Sequence, residues 1–273
     1  MAAHRKQHKR KRKRSRLGPL FKLLCGVAVL VAVTMGATVF FQVETIVVTG
    51  NQRYTQEEII QATGIQIGDN LFRMNKYEIY DRMSQELPYI EGLQIRRGLP
   101  STILVTISEW DAVAQILPSE ERVPLLQEQE ERPETAKEPW LISVGGKLLE
   151  PAGTDTATMK VSGLTLLMPR AGTQMSVPQE ESIQETALLS LLSELENQNM
   201  LQSVNRIELK NTVIELEYLN RYTVKLPLNG DFPYKLQALQ AAVLEREQAL
   251  GSNITGSFDL TQKNYTAIYS PER

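Results

Sequence analysis

The sequence predicts an α+β chain with a single N-terminal transmembrane helix. A small strand, helix, helix, strand, strand domain follows, and then a mixed or antiparallel β domain carrying two helices. Three observations carry that expectation. Residues 23–41 are a run of 19 without a charge, which at about 1.5 Å per residue is enough helix to cross a bilayer core. Residues 43–108 alternate short β-branched runs with two capped segments of helical period. Residues 204–226 hold three strand-like runs in close succession.

The chain begins with charge. Residues 1–22 carry ten Lys or Arg and no acid, and this asymmetry places the amino terminus in the cytoplasm and the 232 residues after Phe41 outside. A cleaved signal peptide shares the basic start and a small-residue patch, here Met35-Gly36-Ala37. Its apolar core is shorter, about 7–15 residues, and Phe40, Phe41 and Val43 pass straight into a strand-like run, so an uncleaved signal-anchor is expected.

The exterior is acidic. Of 30 Lys plus Arg and 32 Asp plus Glu, the tail takes ten of the cations, leaving 20 against 32 and a formal charge of −12 outside. Such a surface repels nucleic acid, while the tail's cations fix topology and meet anionic lipid. The sole cysteine, Cys25, lies in the apolar span, and His4 and His8 lie in the tail. The exterior therefore lacks the residues for a disulfide, a thiol nucleophile, a Ser-His-Asp triad or an ordinary zinc site, and no cofactor or metal is expected.

In the first exterior domain, residues 43–49 read as a strand closed by Gly50-Asn51. Thr55 with Glu58 forms a capping-box pattern ahead of Ile59, Ile60 and Ala62, and Gly64 is placed to end that helix. Asn75 with Glu78 opens a second, in which Ile79, Met83 and Leu87 recur every four residues until Pro88. Residues 90–97 and 102–108 are strands joined by Gly98-Leu99-Pro100-Ser101, with Ile103, Val105 and Ile107 on one face.

These residues carry a resemblance. Val43-Glu-Thr-Ile-Val-Val-Thr-Gly-Asn51, Glu57-Glu58-Ile59-Ile60, Thr63-Gly64, Gly68, Leu71-Phe72 and Leu99-Pro100-Ser101-Thr102-Ile103 resemble the FtsQ-type POTRA domain of the bacterial cell-division family FtsQ/DivIB. The family's Glu-Arg-x-Pro-Val-Ala stretch reads Glu109-Trp110-Asp111-Ala112-Val113-Ala114 here, so roles of the Arg and Pro positions do not carry over.

Residues 118–139 hold seven Glu among several Pro and little apolar surface, and read as a mobile insertion rather than an acidic docking motif. Order resumes at 140–144 and 147–149, joined by Gly145-Gly146 as a hairpin. Residues 161–169 are apolar without a decisive period. Residues 179–198 read as a helix whose Ile183, Ala187, Leu188, Leu191, Leu192 and Leu195 share a face, with Glu180, Glu181 and Glu185 near its start. Strands at 205–209, 213–218 and 222–226 form an antiparallel meander with one wet face. Asp231 and Pro233 open a last helix with Leu236, Leu239, Val243 and Leu250 facing one way, and 257–260 and 265–269 are the final strands. Phe258-Asp259-Leu260 resembles the Ile-Asp-Leu-like motif of the family's C-terminal β domain. The expected organisation is a basic cytoplasmic tail 1–22, a transmembrane helix 23–41, a POTRA domain 42–117, the acidic insertion 118–139, a β domain 140–270 and a tail 271–273.

Chemistry finds little support. Acid pairs stand at Glu57-Glu58, Glu120-Glu121, Glu130-Glu131 and Glu180-Glu181, at helix starts or in the insertion, and no catalytic residue is assigned. A membrane-anchored extracytoplasmic cell-wall hydrolase using a carboxylate pair is the alternative reading. A small mixed domain instead offers a sheet edge, which an extended partner can join by β-augmentation. The resemblance implies a non-enzymatic, single-pass scaffold at the division septum. It also implies that this scaffold binds small bitopic coiled-coil proteins of the FtsL and DivIC (FtsB) kind and regulates septal peptidoglycan synthesis. The partner site is expected on the last strand, Tyr265, Thr266, Ala267, Ile268 and Tyr269. There, either Thr266 and Ile268 or Tyr265 and Tyr269 face outward, depending on register.

Overall fold

The computed structural model describes residues 17–118, 137–153, 158–251, 254–262 and 267–271, with side chains from Leu20 onward. It contains two compact units, one made of 17–47, 65–75 and 95–105 and the other of 48–64, 76–94 and 106 onward.

In the first unit, α1 (Leu17–Phe40) begins six residues before the uncharged run and takes in Lys22, since Pro19 falls in its first turn where no N–H is needed. Its segment Leu20–Phe40 has a mean hydropathy of 2.4 and is long and apolar enough to cross a membrane. Directly after it, the Val43 amide donates to the Asp69 carbonyl (2.8 Å) and the Gly68 amide to the Val43 carbonyl (2.8 Å), so the loop around residue 69 is stitched to the chain leaving the helix.

The strands β1 (Thr45–Thr49), β2 (Ile90–Gly98) and β3 (Thr102–Glu109) pair in the order β1-β3-β2, with α2 (Gln56–Thr63) and α3 (Lys76–Glu86) between β1 and β2 in the chain. The capping box at Thr55 is formed: its amide donates to the Glu58 carboxylate at 2.8 Å and its hydroxyl accepts from the Glu58 amide at 3.3 Å. Gly50, at φ +88°, is required twice over, because a Cβ there would also strike the Ile107 carbonyl. The Glu109 carboxylate accepts from the amides of Gln52 (3.1 Å) and Arg53 (2.8 Å), fixing the loop that follows β1.

The rest of the second unit is built on a nine-stranded mixed sheet. Its strands are β4 (Ala114–Ile116), β5 (Trp140–Ile142), β6 (Leu148–Pro151), β7 (Met159–Ser162), β8 (Val204–Leu209), β9 (Val213–Tyr218), β10 (Tyr222–Pro227), β11 (Gly256–Asp259) and β12 (Ile268–Pro271). They run in the order β12-β11-β10-β9-β8-β7-β4-β5-β6. Pairs β4/β7, β7/β8 and β10/β11 are parallel and the others antiparallel. Residues 114–116, which the sequence reading attaches to the first domain, are thus an interior strand of this sheet. The stretch 118–139 joins the antiparallel neighbours β4 and β5, and 119–136 of it lie outside the described residues.

One face of the sheet is covered by α4 (Ser182–Asn197) and α5 (Phe232–Leu250). Ile207, Ile214, Leu216, Val224 and Leu226 alternate inward from the strands to meet Leu188, Leu191, Leu192, Leu236 and Leu239. Two residues counted in the apolar stripes are exposed. In α4 the first buried position is Gln184 and not Ile183, and in α5 Leu250 falls in the last turn, beyond the buried run that ends at Val243.

Leu141 and Leu149, on the other face at the β5–β6 end, pack against Tyr89 with Tyr54 and Trp110 around them. Polar contacts rim this patch. Tyr89 donates its hydroxyl to Glu150 at 2.6 Å, Arg53 pairs with Glu150 at 2.8 Å, and the Arg53 guanidinium stacks 3.7 Å from the Tyr89 ring centroid. Burial first, then the Glu150 hydrogen bond, raises the Tyr89 phenol far above its ordinary range. Lys147 reaches from the β5–β6 turn to the Ile90 carbonyl at 2.9 Å, and burial lowers its pKa.

Candidate partner-binding edge

A sheet margin becomes a binding site when its outer backbone groups are unpaired and its strand is held in place from behind. The two margins of the large sheet differ in this respect. At β6 the Leu148 amide donates to the Thr173 carbonyl (2.8 Å), the Gly172 amide to the Leu148 carbonyl (2.8 Å) and the Met175 amide to the Gly146 carbonyl (2.9 Å). The start of that margin is covered by the chain's own 172–175. At the other end, β12 pairs with β11 through Gly256↔Pro271, Ser257↔Ser270, Phe258↔Tyr269 and Asp259↔Ile268, and among the described residues no strand follows it.

The support behind β12 is aromatic. Tyr222, Phe258 and Tyr269, one from each of three neighbouring strands, line up on the helix-covered face with ring centroids 5.3 Å and 5.1 Å apart. Phe258 is fully buried. The Tyr269 hydroxyl donates to the Thr255 carbonyl at 2.9 Å, and Arg246 of α5 lies 5.6 Å from its ring centroid. Behind Tyr222, Glu247 accepts from its hydroxyl (3.2 Å) and from Arg221 (2.8 Å); burial foremost raises the Tyr222 phenol. Gly256 sits beneath the Tyr269 ring, where a larger residue would collide.

The turn leaving β11 is pinned from two sides. Lys235, buried in the first turn of α5, donates its ammonium to the carbonyls of Leu260 (2.5 Å) and Gln262 (2.6 Å). Asp259 accepts from the Thr261 hydroxyl (2.7 Å) and amide (2.8 Å), and the Thr261 hydroxyl holds its carboxyl below the usual carboxylate range.

Of the expected site residues, Tyr265 and Thr266 lie outside the described residues. Ala267 packs partly against the core, Ile268 is 48% exposed, and Tyr269 turns inward onto Phe258. Between the two registers left open by the sequence, the structure therefore has Ile268 outward and Tyr269 inward. The strand also runs on to Ser270 and Pro271 where the sequence reading ends it at Tyr269. Phe258 enters the sequence reading only through the Phe258-Asp259-Leu260 motif, and Gly256, Arg246 and Lys235 are supporting residues that it does not single out. The alternation of Phe258 and Leu260 is a signal for the first, while nothing local marks what a buried lysine bonds.

In each acid pair among the described residues one member is engaged elsewhere. Glu58 caps α2, and Glu181, buried, accepts from the Thr165 amide at 2.6 Å and hydroxyl at 3.1 Å. Glu120, Glu121, Glu130 and Glu131 lie outside the described residues. A groove of about 780 Å³ at the starts of β7 and β8 is polar and mixed in charge, lined by Asp111, Lys160, Arg206 and Glu217.

Comparison with known proteins places residues 41–110 in a family described as the POTRA domain, FtsQ-type. The chain is similar to the cell division protein FtsQ of Corynebacterium glutamicum, 32% identical over 91 residues, which are 32% of this chain and 40% of the relative. It is similar to the cell division protein DivIB of Clostridium acetobutylicum, 34% identical over 77 residues (28% and 30%). It also matches DivIB of Bacillus subtilis, 30% identical over 110 residues (40% and 41%). The matched stretch spans about two fifths or less of the length of each of these relatives.

Proposed function

We propose that this chain, which belongs to the FtsQ/DivIB family of cell-division proteins through its FtsQ-type POTRA domain, is a non-enzymatic scaffold of the divisome. In this reading α1 anchors it in the cell membrane, with the amino terminus cytoplasmic and the domains extracytoplasmic. It gathers small bitopic coiled-coil partners of the FtsL and DivIC (FtsB) kind at the septum, and through them regulates septal peptidoglycan synthesis. The observation that carries the reading is a POTRA domain set directly after an apolar helix and followed by a sheet whose C-terminal strand has, among the described residues, no neighbour on its outer side.

Mechanism follows from that margin. An extended segment of the partner pairs its backbone with the outer side of β12, which supplies affinity without chemistry. Specificity comes from side chains flanking the outward-facing Ile268, whose neighbour in register is Asp259. The inward Tyr269 keeps the strand seated.

Capture of the partners by the full chain from detergent extract tests this. Truncation after Asn264 removes β12 and should abolish capture while the POTRA domain stays folded. Ala267→Pro removes a backbone donor next to the strand and should weaken it. Full-strength capture by the truncated chain would refute the assignment.

A further inference from the structure

The end of α1 is gripped by two loops. The Asn70 side-chain amide donates to the Thr38 carbonyl (3.3 Å), the Leu71 amide donates to the Phe41 carbonyl (2.9 Å), and Gln42 and Asn70 form an antiparallel bridge. The turn between β2 and β3 comes to the same place, where the Ser101 carbonyl accepts from the Glu44 amide (2.8 Å) and the Ser101 hydroxyl donates to the Glu44 carboxylate (2.7 Å). Both loops are therefore bonded to residues within five positions of Phe40, the last residue of the apolar helix.

These loops carry bare apolar side chains. Ile67 is 66% exposed, Phe72 55% and Leu99 64%. The Phe72 ring packs edge-on against Phe41 at 5.2 Å, and Phe41 against Phe40 at 5.1 Å, so an aromatic surface continues from the helix onto the loop. Cations stand beside it. Arg97 donates its Nε to the Leu71 carbonyl at 2.5 Å with its guanidinium 5.5 Å from the Phe72 ring centroid, and Arg73 is exposed next in the chain. Single exposed apolar residues on a surface need no explanation. Here three of them stand on the two loops bonded to the exit of a membrane helix, with arginines on or beside those loops, and that is the composition of a lipid interface.

Resting on the reading that α1 crosses the membrane, we infer that these loops are seated in the outer lipid interface. Ile67, Phe72 and Leu99 enter the boundary between headgroups and acyl chains, and Arg73 and Arg97 bind anionic headgroup phosphates. The contact adds to a single-pass anchor what a lone helix lacks, a fixed orientation of the loops on the bilayer.

The test uses the full chain with Cys25→Ala, carrying one of Ile67→Cys, Phe72→Cys, Leu99→Cys, Leu30→Cys or Leu250→Cys. Each is spin-labelled and reconstituted into vesicles of phosphatidylcholine and phosphatidylglycerol. Labels at positions 67, 72 and 99 should collide several-fold more with oxygen than with an aqueous nickel chelate, relative to the exposed reference at position 250. Removing phosphatidylglycerol, or adding Arg73→Glu with Arg97→Glu, should make the label at 72 shallower. If positions 67, 72 and 99 match the reference while position 30 is buried in lipid, the interfacial seating is wrong and the anchor stands. If position 30 is aqueous as well, both fall.

Discussion

Replacing Gly256 by alanine adds one methyl group where β11 and β12 leave no room for it. On the existing backbone the new carbon would lie 2.6 Å from the Ser270 carbonyl oxygen and 2.6 Å from Cε2 of Tyr269. Comfortable contact begins near about 3.5 Å. The φ of Gly256 lies outside the left-handed region, so the cost is steric and not conformational. Swinging the ring away breaks the bond from Tyr269 to the Thr255 carbonyl, about 0.5–1.5 kcal/mol. It also separates Tyr269 from Phe258, about 0.5–1.5 kcal/mol more. Moving the Ser270 carbonyl instead disrupts the ladder. Either route costs about 1–3 kcal/mol, in the range of ordinary overpacking. Both atoms struck belong to β12, so the strain falls on that strand and not on the core between the sheet and its helices. At about 1.4 kcal/mol per factor of ten, the undocked population of β12 rises roughly fivefold to a hundredfold. Partner capture falls by the same factor wherever undocked strand is the majority. Hydrogen exchange of the full chain, read by mass spectrometry, should show faster exchange at 268–270 with α4 unchanged. Unchanged exchange at 268–270, or equal loss of protection in α4, would refute the reasoning.

Lys235→Met should destabilise the β domain by about 1–3 kcal/mol, because it leaves the Leu260 and Gln262 carbonyls without their buried donor; urea unfolding measures it. Asp259 has a folded-state pKa below its unfolded one, so its stabilisation is complete above the ordinary carboxylate range and is lost as pH falls through the folded value. Asp259→Asn should therefore flatten the acid side of a stability-against-pH curve and leave its alkaline side alone. Tyr89→Phe removes a hydrogen bond to a carboxylate and should cost about 1.5–3 kcal/mol, seen as faster exchange at 149–151 and 89–90; a silent substitution would mean that the apolar contact alone holds this patch.

The POTRA domain was legible because its signals are local. A capping box, a glycine at a helix end and a strictly alternating strand each depend on residues a few positions apart, and Thr55, Gly64 and Ile103–Ile107 behave as their spacing implies. The large sheet was harder where its membership is decided at a distance. Ala114-Gln115-Ile116 has no strand signature, and becomes an interior strand only because β7 and β5 flank it. The far end of β12 is set in the same way, by Tyr269 opposite Phe258 and Pro271 opposite Gly256, while β propensity alone ended the strand at Tyr269. Lys235 stands four residues before Leu239 on the buried stripe of α5, so its position was readable. Its role was not, since the carbonyls that accept from it come from a segment 25 residues later.

The covered start of the margin at β6 gives the molecule a valence. A sheet open at both sides is a repeating unit, because each strand it gains presents a new place for the next, and nothing stops the chain of additions. With 172–175 bonded at the start of β6, the margin without a neighbouring strand among the described residues is β12, where a segment laid against it would extend the sheet. Between copies of the chain, growth therefore ends at a pair, since each brings a single open margin, as with a monofunctional unit in a polymerisation. On the proposed reading, a partner strand and a second copy of the chain both need that margin. A second copy of the chain, meeting the first margin to margin, would compete with that partner for the same vacancy and not build a filament.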